Sequence, residues 1–304
     1  MTHAGTGITR PNVARTYDYL LGGIESYTAD REQAAELLRT CPSLGIVALE
    51  NRYLLARAVT WAAGQGMTQF IDLGAGMPVK KAGAGVLEDI HATAQAASPS
   101  ARVAYVDDDP LVLARSRVFR APARGVAVIA ADLTDPDSVL ADLGLRAVID
   151  LAQPACFIFG LALSLVPATD ARDVVAGYLH RAAPGSCVVI SCGRCDDEAL
   201  WAQLSKAYTR CGGSQSHASR DREVPGRPRA CTSGGRPGAE LASRLARCAC
   251  GTTWPGVCAG RRGQEAGPVG PGPASASVVP PWFGPLDEAR SASFCPKFTH
   301  VFYR

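Results

Sequence analysis

A long apolar run is the first thing this 304-residue chain does without. Its most apolar stretch, Ala155 to Val166, is twelve residues, short of the roughly 20 that a helix needs to span a bilayer. The amino-terminal MTHAGTGITRPN carries no apolar segment, which predicts no secretory signal, no membrane partner and a cytoplasmic protein. Eleven cysteines in such a chain then read as reduced thiols rather than a disulfide framework. Isoleucine is missing altogether beyond residue 210, and Leu, Val and Phe supply only 13 of the last 95 residues. The same 95 residues hold 25 of the 52 glycines and prolines. They also carry 13 Lys and Arg against 6 Asp and Glu, whereas residues 1–209 carry 18 against 22. Only residues 1–209 have the composition of a packed core.

Several reactive constellations are missing too. There is no phosphate-binding GKS loop, and no Ser-His-Asp set is legible. Cys192-Gly-Arg-Cys195 has no second C-x-x-C, so Cys248, Cys250 and Cys258 do not make a zinc motif with it and no metal is expected. The arginines of 210–262 come without interleaved aromatics, which argues against a nucleic-acid partner. His91 and His180 fall within expected helices and read as surface or packed residues rather than catalytic ones.

What is present has two periods. Residues 10–65 read as three helices: one from Pro11 to a stop at Gly22-Gly23, one from Thr28 to about Arg39, and one from Pro42-Ser43 to Gly64. From Phe70 onward, short apolar runs (70–73, 103–106, 126–130, 155–160, 187–191) alternate with helical stretches (about 84–97, 110–119, 135–142, 170–183). Buried strands alternating with helices predict a Rossmann-like α/β fold, a parallel sheet with helices on both faces. The expected organisation is a helical cap over residues 1–66, the sheet domain over 67–209 and a low-complexity, disordered tail over 210–304, with the sheet's carboxyl-terminal strands missing or disordered.

In such a sheet, ligands bind outside the carboxyl ends of the strands. Those ends read Asp72-Leu73-Gly74-Ala75-Gly76, then Asp107-Asp108-Asp109-Pro110, then Asp132-Leu133, then Gly160-Leu161. Gly74 and Gly76 allow the backbone to pass close to a ligand. Asp107 can accept both ribose hydroxyls of a nucleoside, with Asp108 alongside. Asp132 can meet an adenine amino group while Leu133 packs on the ring. Asp72 repels a pyrophosphate but suits an ammonium or sulfonium. A dinucleotide loop needs a third glycine where this chain has Val79, and Pro78 interrupts the helix start that receives phosphate. S-adenosylmethionine is therefore the expected cofactor. The 35 positions from Asp72 to Asp107 exceed the roughly 20 usual after a glycine loop, and 77–84 reads as an insertion.

The segments PNVARTYDYLLGG (11–23), SYTADR (26–31), ENR (50–52), FIDLGAGMP (70–78), VAYVDDDP (103–110) and AADLTDP (130–136) resemble a bacterial family of S-adenosylmethionine-dependent methyltransferases. Its members open with a P-x-VAR-x-YDYLLGG segment, and the likeness covers roughly residues 8–209. Two departures stand out: Ser26-Tyr27 replaces the family's Asn-Phe, and Asp108 replaces an Asn. The resemblance implies a class I methyltransferase sheet with Asp72, Gly74, Gly76, Asp107 and Asp132 around the cofactor. It also suggests that Arg15, Tyr17 and Tyr19 on the first helix close the site, Arg15 holding the methionine carboxylate and a tyrosine facing the sulfonium; the tyrosines can equally be packing residues of the cap. The implied reaction is in-line methyl transfer to a small-molecule acceptor. A non-catalytic nucleoside-binding protein or a degraded methyltransferase relative is the alternative.

The tail has a further reading. Back-translating 224–231 and reading one nucleotide later permits FLAGLELV, an amphipathic peptide like that of the family at this point. A slip of reading frame near Cys211 would leave the sheet without its last, antiparallel strands.

Overall fold

The period change near residue 66 marks where helices give way to the sheet. The computed structural model describes residues 7–79, 88–166, 168–194, 197–211 and 297–303. Three helices come first: α1 (Val13–Leu20), α2 (Thr28–Thr40) and α3 (Leu44–Gly64). Asn12 caps α1 by accepting the Arg15 N–H at 3.1 Å, and Gly22, at φ +82°, takes the left-handed turn after it. The sheet region then runs β1 (Gln69–Leu73), α4 (Ile90–Ala97), β2 (Arg102–Asp107), α5 (Pro110–Phe119), β3 (Val126–Ala130), α6 (Pro136–Ala141), α7 (Leu143–Val148), β4 (Cys156–Gly160), α8 (Ala168–Arg181), β5 (Cys187–Arg194) and α9 (Glu198–Cys211). A last strand, β6 (Lys297–Tyr303), follows residues 212–296, which lie outside the described residues together with the proposed frame slip.

The strand order is β3-β2-β1-β4-β5-β6. Strands β1 to β5 are parallel and β6 pairs antiparallel with β5, Val188 opposite Tyr303 through Arg194 opposite Lys297. This is the Rossmann-like class I methyltransferase fold. One expectation is corrected here: a carboxyl-terminal antiparallel strand is present, at the edge beside β5. Two helices also differ from their expected spans. Helix α4 starts at Ile90, with 80–87 outside the described residues. The stretch 135–142 continues as two short helices because Asp142 accepts the Leu145 N–H at 3.0 Å and caps a new one.

Side chains alternate along each strand and split between two cores. Ile71, Leu73, Val106, Phe157, Phe159 and Ile190 face α7 and α8. Phe70, Val103, Tyr105, Ile158 and Val189 face Leu55, Ala58, Val59 and Ala62 of α3. Helix α3 therefore covers the sheet as well as belonging to the amino-terminal group. A third cluster joins α1, α2 and the start of α3 to Leu204 and Ala207 of α9. Among the described residues no helix is long and apolar enough to cross a membrane.

Candidate functional site

The chain runs outward from β1 to β2 and β3, then returns to lay β4 on the other side of β1. The carboxyl ends of β1 and β4 thus open a crevice at the switch point. Leaving β1, the backbone turns back over β2, with the N–H groups of Gly74 and Ala75 both donating to the Val106 carbonyl at 3.0 Å. Gly74 (φ +76°) and Gly76 (φ +60°) occupy the left-handed region that other residues avoid. A Cβ on Gly74 would stand 2.6 Å from the Ala162 Cβ and 3.2 Å from Leu133 Cδ2. This turn lies tight against the β3 and β4 ends. Strand β4 leaves through Leu161, itself left-handed at φ +63°, whose N–H donates to the Ser191 carbonyl and Oγ.

The acidic residues gather around this turn. By alternation Asp72 and Asp107 share the face of Phe70 and Tyr105. Asp72 is buried, and desolvation pushes its carboxyl up to about 6 against the pull of the Arg120 and Arg52 charges. Asp107 accepts the Gly76 N–H on Oδ2 (2.9 Å) and the Asp109 N–H on Oδ1 (3.0 Å). Burial raises its carboxyl above the ordinary range in spite of those two donors. Asp108 reaches solvent at the rim, where the cover of the crevice wall, then the charges of Asp107 and Asp132, hold it up at about 6. Asp132 is exposed and its Oδ1 accepts the N–H and Oγ1–H of Thr134 at 2.8 and 2.7 Å. Leu133 is half-buried, its carbonyl accepting the Tyr178 hydroxyl at 2.9 Å. Asp72, Gly74, Gly76, Asp107, Asp108, Asp132 and Leu133 are therefore grouped at one end of the sheet.

Asp109 connects this group to the cap. Its Oδ1 accepts the N–H groups of Leu111 and Val112 at 2.8 and 3.0 Å and so caps α5, while Oδ2 accepts Asn12 Nδ2 at 2.7 Å. Glu25 and Arg115 add a 2.7 Å ion pair between cap and α5.

The cap residues sort differently from the expectation. Arg15 is corrected: it is buried, its Nε donates to Asp30 Oδ2 at 2.7 Å and an NH2 donates to the Arg10 carbonyl at 2.9 Å. Asp30 also receives the N–H groups of Asn12 and Tyr27, so this pair holds the cap together and its charge is already matched. The Tyr17 hydroxyl donates to the Ala48 carbonyl (2.9 Å) and accepts Asn51 Nδ2 (3.0 Å), and burial raises it above its ordinary value. Tyr19 packs on the cap's apolar cluster with Leu20 and Leu37, the packing role left open for it.

Three polar residues of the site carried no sequence expectation. Arg120 is fully buried beneath the glycine turn. It donates to the Gly76 carbonyl at 2.9 Å, to Ser116 Oγ at 3.0 Å and to both oxygens of Asp89 at 2.9 and 3.2 Å, with its guanidinium 4.1 Å above the Tyr105 ring. Burial alone would raise Asp89, but the charge and hydrogen bonds of Arg120 overcome it and hold the carboxyl below its usual range. Asp89 also accepts the Val79 N–H at 3.2 Å, so the pair grips the turn at both ends. Arg52, on α3, extends over the Tyr17 ring at 5.7 Å, and its Nε is buried with no acceptor. His91 is engaged with the Tyr105 hydroxyl through its backbone N–H and Nδ1 (2.8 and 2.9 Å), and His180 is exposed on α8. Cys195, Cys248, Cys250 and Cys258 lie outside the described residues.

A glycine turn over an acid-ended second strand, in a sheet of this order, defines a nucleoside-binding α/β enzyme of the class I methyltransferase type. Residues 3–224 match the family model described as S-adenosyl methyltransferase, and the chain belongs to that family. It is an S-adenosylmethionine-dependent methyltransferase. Among solved structures it is similar to a candidate methyltransferase from Thermobifida fusca YX, at 33% identity over 69% of this chain and 77% of that one, with a TM-score of 0.62. A DUF574 family protein from Streptomyces avermitilis shares 31% identity over 67% of this chain and 77% of that one, also with a TM-score of 0.62. No curated protein matches the chain.

Proposed function

We propose that the enzyme seats S-adenosylmethionine across the carboxyl ends of β1, β2 and β3 and transfers its methyl group in line to a small-molecule nucleophile. The observation that carries this reading is the state of Asp107. Each of its oxygens accepts one backbone N–H, which fixes the carboxylate and leaves a second lone-pair direction on each for a ribose hydroxyl. Gly74 and Gly76 leave the backbone bare where the nucleoside passes, and Leu133 with Asp132 flanks the adenine position. Asp72 and Asp107 together disfavour a diphosphate on electrostatic grounds.

When bound, the cofactor supplies a methyl carbon made electrophilic by its sulfonium. The protein's part is to bind, orient and exclude water, because displacement of this kind asks for alignment more than for a strong acid or base. No residue is assigned as a general base. The cap is tied down over the β2 end by the Asn12–Asp109 and Glu25–Arg115 contacts, which favours a small acceptor over a polymer. Titration calorimetry with S-adenosylhomocysteine tests the reading. Asp107→Ala should bind about 10- to 100-fold more weakly than wild type, the loss of two charge-assisted hydrogen bonds. Equal affinities would reject it.

A further inference from the structure

Methyl transfer as read above uses none of the chain's thiols, yet two of them stand side by side. Cys156 opens β4 and Cys187 opens β5, and the two are direct partners in the parallel ladder. The Cys187 N–H donates to the Ala155 carbonyl at 3.0 Å, and Ser186 Oγ accepts the Ala155 N–H at 3.1 Å, so the strands are joined from their first residues. Both side chains lie on the α3 face of the sheet, in one apolar cluster with Ala62, Phe70 and Val189. There the two thiols share a hydrogen bond. Adjacent strands run about 4.8 Å apart, within the roughly 4.4–6.8 Å between Cα atoms that a disulfide spans. A disulfide holds its Cβ atoms about 3.5–4.5 Å apart, so closing one asks for a shift of roughly a few tenths of an ångström. Both residues have just left a turn, closed by Gln153 on the Asp150 carbonyl and by Ser186 on the Ala183 carbonyl, where such a shift is easily absorbed.

The two thiols differ in reach. Cys156 is fully buried, whereas Cys187 is 6% exposed and forms part of the wall of a cavity of about 350 Å³ with Trp61, Met67 and Gly185. This cavity lies at the amino-terminal ends of the strands, away from the glycine turn. A lone buried thiol is inert; one with a second thiol beside it and an opening in front has the parts of an exchange site. We propose that Cys187 and Cys156 form a dithiol site, which a low-molecular-weight disulfide entering the cavity oxidises reversibly to a Cys156–Cys187 bridge. Cys187, as thiolate, attacks one sulfur of the reagent RSSR; the S–S bond breaks and one RSH leaves with the proton. Cys156 then gives up its proton and attacks the Cys187 sulfur of the mixed disulfide, expelling a second RSH. Two protein thiols are oxidised and RSSR is reduced to two RSH. The hydrogen bond to Cys187, and then burial, hold the Cys156 thiol well above its usual range, which leaves the first attack to Cys187.

Peptide mapping of the full chain tests this. Reduced protein, freed of reductant, is exposed to bis(2-hydroxyethyl) disulfide, its remaining thiols are alkylated in denaturant, and it is cut with trypsin. Residues 147–172 then carry Cys156, and residues 182–194 carry Cys187 and Cys192. In wild type both free thiols should be lost together, the two peptides should be recovered joined with the bond on Cys187, and dithiothreitol should separate them. Cys156→Ser should stop at a mixed disulfide on Cys187, and Cys187→Ser should leave Cys156 free. Cys41, buried in the cap cluster, should stay reduced throughout. An unmodified Cys187 in wild type, or a mixed disulfide on it beside a free Cys156, would overturn the proposal. So would a bridge carried by Cys192, or one that forms only as Cys41 is oxidised too, since that marks reaction through the unfolded chain.

Discussion

Asp72 carries a cost that a ligand can offset. Its carboxyl titrates at about 6 in the folded chain against an ordinary 3.8. Well below pH 3.8 both folded and unfolded chains hold the proton; as pH rises from there to 6 the unfolded chain gives it up more readily, and stability is lost until the folded chain ionises as well. The difference is on the order of 3 kcal/mol for this one group. Asp72→Asn should therefore gain stability relative to wild type between pH 4 and 6 and keep that gain above it. Chemical denaturation at several pH values measures this, and parallel curves would contradict it. The same substitution should weaken binding of a cationic head. Asp107 was legible in the sequence because a carboxylate ending the second strand needs only strand register to be placed. Arg52 and Arg120 were not, because a buried arginine is defined by partners far along the chain. Arg120 meets Asp89, 31 residues earlier, and nothing in the spacing links them. The ENR segment did contain Arg52, but only the α1–α3 packing shows that its Nε has no acceptor. Arg15 misled for the same reason: its partner Asp30 lies on the next helix.

The glycine turn is the element on which the site depends. It is held from below by Arg120 on the Gly76 carbonyl and from β2 by Asp107 on the Gly76 N–H. Arg120→Met should cost about 3–5 kcal/mol, since it strands the Asp89 carboxylate in the interior. The double variant Asp89→Asn with Arg120→Met should be less unstable than the sum of the single ones, a coupling that a thermodynamic cycle reads directly. Gly74→Ala should fail more locally. Its φ of +76° and the 2.6 Å approach to Ala162 oppose any Cβ, so nucleoside binding should fall before the fold is lost. The strands were readable at this scale because five runs of buried apolar residues alternate with helices. Helix ends were less so: the Asp142 cap that divides α6 from α7 is one hydrogen bond, invisible to a hydrophobic pattern.

At the scale of the whole molecule, the sheet is parallel from β3 to β5 and closes on one edge with antiparallel β6. The composition of residues 210–304 hid that strand, because 297–303 follows a long stretch with no apolar period and pairs with residues more than a hundred positions earlier. Removing 297–304 should expose the backbone edge of β5 and promote association, visible as a shift to larger species in size-exclusion chromatography. A monomeric, equally stable truncated chain would contradict the pairing. The family match over 3–224 and the cap, crevice and sheet all describe one methyltransferase core.

The most direct measurement is a crystal structure with S-adenosylhomocysteine bound. The account predicts the ribose hydroxyls on the Asp107 carboxylate, the adenine against Leu133 near Asp132, and the nucleoside passing over Gly74 and Gly76. Nucleoside density at the opposite, amino-terminal ends of the strands, in the cavity of about 350 Å³ lined by Trp61, Gln69 and Arg102, would contradict it.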